Sequence, residues 1–339
     1  MRNKLYILSL ILLFSHLAFG QFVGKDAVSK ALFYLQKSEL DSAKKYIDEA
    51  ALDSTQQSVA KTWYYRGFVY KELYKNHQKD DKDSPYRIEA IEALNTLQKV
   101  DKEQEFIESA SKMLNYLAST LYNDAARSLT PDHYEQAKNN YNKFRETMLI
   151  AKPNANLTPQ DIKFKLALAS MLNQYAEQNN QQDTSLIHQV KATYEQVLVL
   201  DPDNGSANYN LGILYYNEAA GIINNMDYDM DLERLNELQD VCIDLFLKAL
   251  PYMLKAHEQQ WHLKETLIGL GNIYHGLNDE EKEMFYKQEL ENMQSNDRIK
   301  ELKAIMKELS DTGMQDSEKY LKYKTELEAL EQKQKESNK

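Results

Sequence analysis

One cysteine is all that 339 residues contain, so Cys242 excludes any disulfide within the chain. It sits in Val241-Cys242-Ile243 inside a helical pattern and reads as a packed, inert thiol. Glycine and proline are also scarce, at ten and six residues. Few points remain at which a helix must stop, and the composition favours an all-α chain. After residue 20 no apolar run approaches the roughly eighteen residues that a membrane-spanning helix needs. Basic charge is in deficit: 41 lysines and arginines face 52 aspartates and glutamates, for a formal net charge of -11. That balance argues against a nucleic-acid binder and makes anionic membrane surfaces poor partners.

Catalytic signatures are missing too. The chain has no Gly-rich phosphate loop, no nucleophile elbow and no Cys–His pairing. His257 and His262 are five residues apart, which turns a helix through about 140° and sends the two imidazoles apart instead of toward one zinc ion. Asp227, Asp229 and Asp231 alternate as calcium ligands do. The loop lacks the glycine for its sharp bend, and Leu238 stands where a closing glutamate belongs. The expectation is a chain with no enzymatic activity, no metal and no cofactor.

What the sequence does have is helix-forming residues, 23 tyrosines and punctuation at long intervals. Residues 1–20 read as a cleaved signal peptide: Arg2 and Lys4 precede the apolar run Leu5 to Phe14, and Ala18-Phe19-Gly20 offers small residues for cleavage. No cysteine lies near that junction, so the expected destination is the periplasm or the medium, without a lipid anchor. From there to residue 295 the spacing predicts about six helical pairs, with charged helices over 296–339.

The pairs follow one template, in which a small residue allows close helix approach and larger ones fill the gaps a turn away. Ala27, Lys30, Ala31 and Tyr34 mark the first helix of the first pair, and Ala43, Ile47 and Ala50 the second. In the second pair Trp63, Arg66, Gly67 and Tyr70 are followed by Lys75 to Asp83, a charged stretch expected as a solvated loop or a frayed helix end. Ser84-Pro85 then opens the partner helix of Ala90, Leu94 and Leu97. The third pair has Leu117, Ala118 and Leu121, with Thr130-Pro131 expected to start the helix of Ala137, Tyr141 and Phe144. Thr158-Pro159 opens the fourth, marked by Leu168, Ala169 and Leu172 and then by Val190, Tyr194 and Val197. In the fifth, Asn208, Leu211, Gly212 and Tyr215 precede an insertion over 217–250 with a polar turn at Asn224 to Asp231. Pro251 is expected to kink the following helix or restart it. Leu267, Leu270, Gly271 and Tyr274 mark the sixth. Ile299, Leu302, Met306 and Leu309, then Tyr320, Tyr323, Leu327 and Leu330, predict a closing hairpin turned at Thr312-Gly313.

These residues resemble the tetratricopeptide repeat family, whose pattern is W-x2-L-G-x2-Y, then A-x3-F, then Pro. The resemblance covers about Lys25 to Asn292. Its departures are a period longer than about 34 residues and a tryptophan in the second pair alone. It implies a right-handed superhelix whose concave groove, lined by the first helix of each pair, binds a peptide or protein.

By the same resemblance the groove residues are Lys61, Tyr64, Phe68 and Lys71, then Lys112, Asn115 and Tyr122, then Lys163 and Asn173, then Tyr209 and Tyr216, and finally His275. Lys61, Lys112 and Lys163 fall at equivalent places in three successive helices, a basic stripe able to grip a carboxylate. The expected function is a non-enzymatic interaction scaffold of the bacterial cell envelope. A glycan-binding protein on the same scaffold is the alternative, suited to the many tyrosines, and an enzyme on a helical-repeat scaffold comes after it.

Overall fold

The structure is a computed structural model that describes residues 26–178, 184–227 and 229–337. The signal peptide expected over 1–20 lies outside the described residues. Among the described residues the chain is all-α, thirteen α-helices that follow one another as antiparallel pairs, as in a helical repeat. It divides into two compact units, one ending at Pro159 and the other starting at Gln160.

The first unit holds α1 (Ala27–Gln36), α2 (Leu40–Leu52), α3 (Ala60–Leu73), α4 (Pro85–Val100), α5 (Ile107–Arg127) and α6 (Tyr134–Ala151). Asp26 caps α1 by accepting the Ser29 N–H at 2.9 Å, and the small residues Ala31, Ala43 and Ala50 are buried with Ile47 where α1 meets α2. In the next pair a Cβ on Gly67 would stand only 2.6 Å from Cγ and Cδ2 of Leu94, so α3 and α4 approach through that glycine. Ser84 caps α4 with Pro85 in its first turn, as the sequence predicts; its hydroxyl accepts the Arg87 N–H at 3.2 Å.

After α3 the helix end runs on as a π-turn, Tyr74–Gln78, with Tyr74 buried and Lys75, Asn76 and His77 exposed. One expectation needs correction: Thr130-Pro131 does not begin α6. The His133 N–H closes a tight turn onto Thr130 O at 3.1 Å, with Pro131 just inside it, and the helix starts at Tyr134. A hydroxyl followed by proline suits a turn as well as a cap.

The second unit holds α7 (Thr158–Gln178), α8 (Thr184–Leu200), α9 (Gly205–Asn224), α10 (Leu232–Glu258), α11 (Leu263–Gly276), α12 (Glu280–Asp311) and α13 (Glu318–Ser337). The insertion lengthens α9 and α10, and Asp231 caps α10 at the end of the polar turn. Pro251 gives no fresh start, since α10 is one 27-residue helix with the proline inside. Pro251 is exposed, and so is Leu247, whose carbonyl loses its N–H partner there and can turn to water. Cys242 is buried with its Sγ 3.8 Å from Ala219 O, and burial pushes the thiol pKa up. Helix α12 runs unbroken through 295/296, so the last pair and the closing hairpin share one 32-residue rod. At the hairpin's turn Gly313 takes φ +75.

Candidate partner-binding surface

Successive first helices meet in each unit, and the side chains they share fix their register. In the first unit Asp101, at the end of α4, accepts the N–H groups of Glu105 and Phe106 at 3.1 and 2.8 Å. This holds Phe106 against Tyr64 of α3, ring centroids 4.6 Å apart. Further along, Lys71 and Lys75 combine with Lys112, Met113 and Tyr116 of α5 to line an open hollow of about 270 Å³. Lys71 is 2.6 Å from Glu72 and lies over the Phe68 ring, while Lys112 pairs with Glu108 at 2.6 Å. Lys75 has no carboxylate partner among the described residues. Burial raises the Tyr116 phenol pKa.

The hollow's three lysines are therefore not the predicted stripe. Lys61 is exposed and acts on Asp26, whose carboxyl is held low mainly by the Ser29 hydroxyl and N–H. Lys112 follows Lys61 by 51 residues, but it shares the hollow with Lys71, only 41 before it. The Tyr64–Phe106 contact spans 42 residues. Counted this way, buried Ala110 and Met113 stand opposite Gly67 and Tyr70 more closely than Ala118 and Leu121 do. The third template match is displaced by about two helical turns. Tyr122 is half-buried in the seam with α6, 5.1 Å from Phe144 and 6.1 Å from Tyr141. Asn115 is half-buried, and its carbonyl accepts the Ser119 hydroxyl.

In the second unit α9 and α11 keep closer to the expected register. The Asn272 amide donates to Tyr216 Oη at 3.1 Å, and Tyr209 faces His262 at 5.1 Å. Met253 of α10 is wedged between the two helices: a Cβ on Gly212 would be 2.7 Å from its Cγ, and one on Gly269 2.5 Å from its Cε. Gly271, which the template marks, is looser, its nearest contact being Lys287 Cγ at 3.8 Å. His275 is exposed and sits 3.0 Å from Glu283. On α7, Lys163 is exposed and the Asn173 amide donates to Glu177 at 2.9 Å.

Two polar hubs escaped the sequence reading. Asp48 of α2 accepts from Lys44 at 2.9 Å, from Arg66 Nε at 3.2 Å and from the Tyr70 hydroxyl at 2.8 Å, and Arg66 reaches Glu89 at 2.7 Å. Arg87 is buried and donates to Asp124 at 2.5 Å, to Tyr74 Oη and Thr120 Oγ1 at 3.2 Å and to Lys82 O at 2.5 Å. The signal was available. Arg87 continues the inward stripe of Ala90, Leu94 and Leu97, and Asp124 that of Leu114, Leu117 and Leu121. A charge on such a stripe requires an opposite charge.

No protein-family model matches the chain, and no curated protein does. Among solved structures the chain is similar to a monomeric mutant of IFIT1 with Gppp-AAAA, at 13% identity and a TM-score of 0.28. That alignment covers 90% of this chain and 68% of that one. A second monomeric IFIT1 mutant, with m7Gppp-AAAA, aligns at 12% identity and a TM-score of 0.29, covering 89% of this chain and 67% of that one. Scores that low add nothing to the helix pairing already described.

Proposed function

We propose that the chain is a non-enzymatic interaction scaffold of the tetratricopeptide type, exported to the bacterial cell envelope. Its helix pairs stack into a right-handed superhelix, and a peptide or protein partner lies along the concave face formed by the first helices. The observation that carries this reading is the hollow between α3 and α5, where two successive first helices contribute Lys71, Lys75 and Lys112 around Met113 and Tyr116. Lys71 and Lys112 already have Glu72 and Glu108, so Lys75, with no carboxylate of its own among the described residues, is the cation that an acidic segment would meet over this apolar floor, in a protein of net charge -11. The wedging of Met253 against Gly212 of its own pair and Gly269 of the next supports the stacking part of the reading.

The test is affinity purification of the tagged chain from the envelope fraction, with mass spectrometry of the co-eluting proteins. Changing Lys71, Lys75 and Lys112 together to Glu is expected to reduce recovery of the main co-eluting protein at least tenfold and leave the circular dichroism unchanged. Undiminished recovery with the triple variant sinks the assigned surface. Absence of any specifically co-eluting protein sinks the scaffold reading.

A further inference from the structure

Helix α10 has 27 residues and α11, which packs on it, has 14. Phe246 of α10 lies against Gly276, the last residue of α11, so the earlier turns of α10 run past the end of α11. From Leu232 to Val241 no residue of α10 is buried, whereas Cys242, Leu245 and Phe246 just beyond are. Leu232, at the tip, is 73% exposed. Among the exposed large apolar residues of the described chain it alone has a carboxylate on each side, Asp231 and Glu233. Asp231 is occupied in capping α10, its carboxylate accepting the Arg234 N–H at 2.9 Å, and the Arg234 side chain goes to Glu237 at 2.7 Å. Glu233 is exposed and has no cationic partner among the described residues.

An apolar side chain beside a free carboxylate is the complement of the α3–α5 hollow, which has Met113 and Tyr116 on its floor and the unpaired Lys75 at its rim. We propose that the hollow receives a second copy of this chain, with Leu232 seated on Met113 and Tyr116 and Glu233 against Lys75. This rests on the hollow being a binding surface, as in the proposed function, and names what fills it. About 270 Å³ is room for a leucine side chain and its flanking main chain. Other exposed apolar residues fit less well. Leu52 is followed by Asp53, whose carboxylate already holds the Thr55 N–H at 2.9 Å, and Val199 has no acidic neighbour. Met284 follows Glu283, which is held by Lys287 and His275. The contact joins unlike surfaces, so copies add head to tail instead of facing each other across a two-fold axis. A plug this small makes a weak contact that depends on concentration. At about 0.15 M salt the repulsion between two acidic copies is screened beyond roughly 8 Å, while groups in contact still attract.

The test is sedimentation velocity of the full chain at that salt, from about 1 to 100 μM. The mean sedimentation coefficient is expected to rise with concentration. A tip variant, Leu232→Ser with Glu233→Lys, should hold it at the monomer value, and so should the hollow variant with Lys71, Lys75 and Lys112 changed to Glu. Circular dichroism should be unchanged in both. Each variant keeps the surface that the other has lost, so an equimolar mixture should form a dimer and nothing larger. A wild-type chain that stays monomeric throughout, association that survives in the tip variant, or a mixture that stays monomeric would each overturn the proposal. Should the wild type stay monomeric while another protein is still lost from the hollow variant, the self-contact falls and the proposed function stands.

Discussion

The α3–α4 hairpin and the α12–α13 hairpin join two helices by opposite means. The first is closed mainly by burial: Gly67 lets Leu94 in, Leu97 and Tyr74 are shielded, and Arg87, the charge buried at the seam, is sealed against Asp124, with Arg66–Glu89 at 2.7 Å as a half-exposed ion pair beside it. The second has longer helices and far less inside. On α12 only Tyr286, Ile299 and Leu302 are buried, and on α13 none of residues 318–336 is. Its ties are ionic and at the surface: Arg298 to Glu326 at 2.7 and 3.1 Å, Lys303 to Glu331 at 2.7 Å and Lys333 to Glu291 at 3.2 Å. Exposed pairs contribute little each, whereas a buried pair is costly to break. Helix length says nothing about which hairpin holds more tightly; the seam does.

The largest effect should come from splitting the buried pair. Asp124→Ala leaves Arg87, whose side chain is 2% exposed, without its counter-charge, and should cost about 3–5 kcal/mol. Urea unfolding followed through Trp63, which lies in the same unit, reads that loss. Arg87→Met with Asp124→Leu replaces the pair by apolar bulk and should recover most of it. If Asp124→Ala proved as mild as a surface change, the two hairpins would not differ in the way their seams indicate.

Next come two glycines at the same template position. Gly67→Ala drives a methyl to 2.6 Å from Leu94 and should destabilise by about 1–3 kcal/mol. Gly271→Ala meets only Lys287 Cγ at 3.8 Å inside a helix, so the gain in helix propensity should prevail, at about 0.5–1 kcal/mol. Thermal unfolding of the two variants should move in opposite directions. The same sign for both would mean that the close approach at Gly67 is relieved by a shift of Leu94.

The helix inventory was legible in the sequence because local rules decide it. Ser84-Pro85 caps α4, and Asn204 and Asp231 cap α9 and α10, each through its own side chain. Thr130-Pro131 misled because the same two residues satisfy a turn. Nothing local shows that the inward stripe of α6 starts only at Ala137 and leaves no use for an earlier turn of helix. Register between helices was legible only in part. Ala110 and Ala118 are both small and both buried on the 21-residue α5, so the template could seat on either, and the choice is made by Phe106 reaching Tyr64 across the turn that Asp101 ties down. That displacement is why the hollow draws on Lys75, Met113 and Tyr116, which no spacing argument singled out, and leaves Lys61 aside.

The smallest effect should be the most selective. In the folded chain Arg298 holds the Glu326 carboxyl below the usual glutamate range, and Lys303 does the same for Glu331. A carboxylate with a lowered folded pKa adds stability that is fully present above its unfolded pKa and fades as the pH falls through the folded one. Protection of the α13 amides from hydrogen exchange should therefore be constant near neutrality and decline on acidification below about pH 4. It should also weaken in about 1 M salt, where screening acts within roughly 3 Å. Amides of α4 near Arg87 should not respond to that salt, because the buried pair excludes the screening ions. Equal salt sensitivity in α4 and α13 would place the α12–α13 hairpin under the same apolar control as α3–α4, and the mesh of surface charges would then be a consequence of the hairpin and not its fastening.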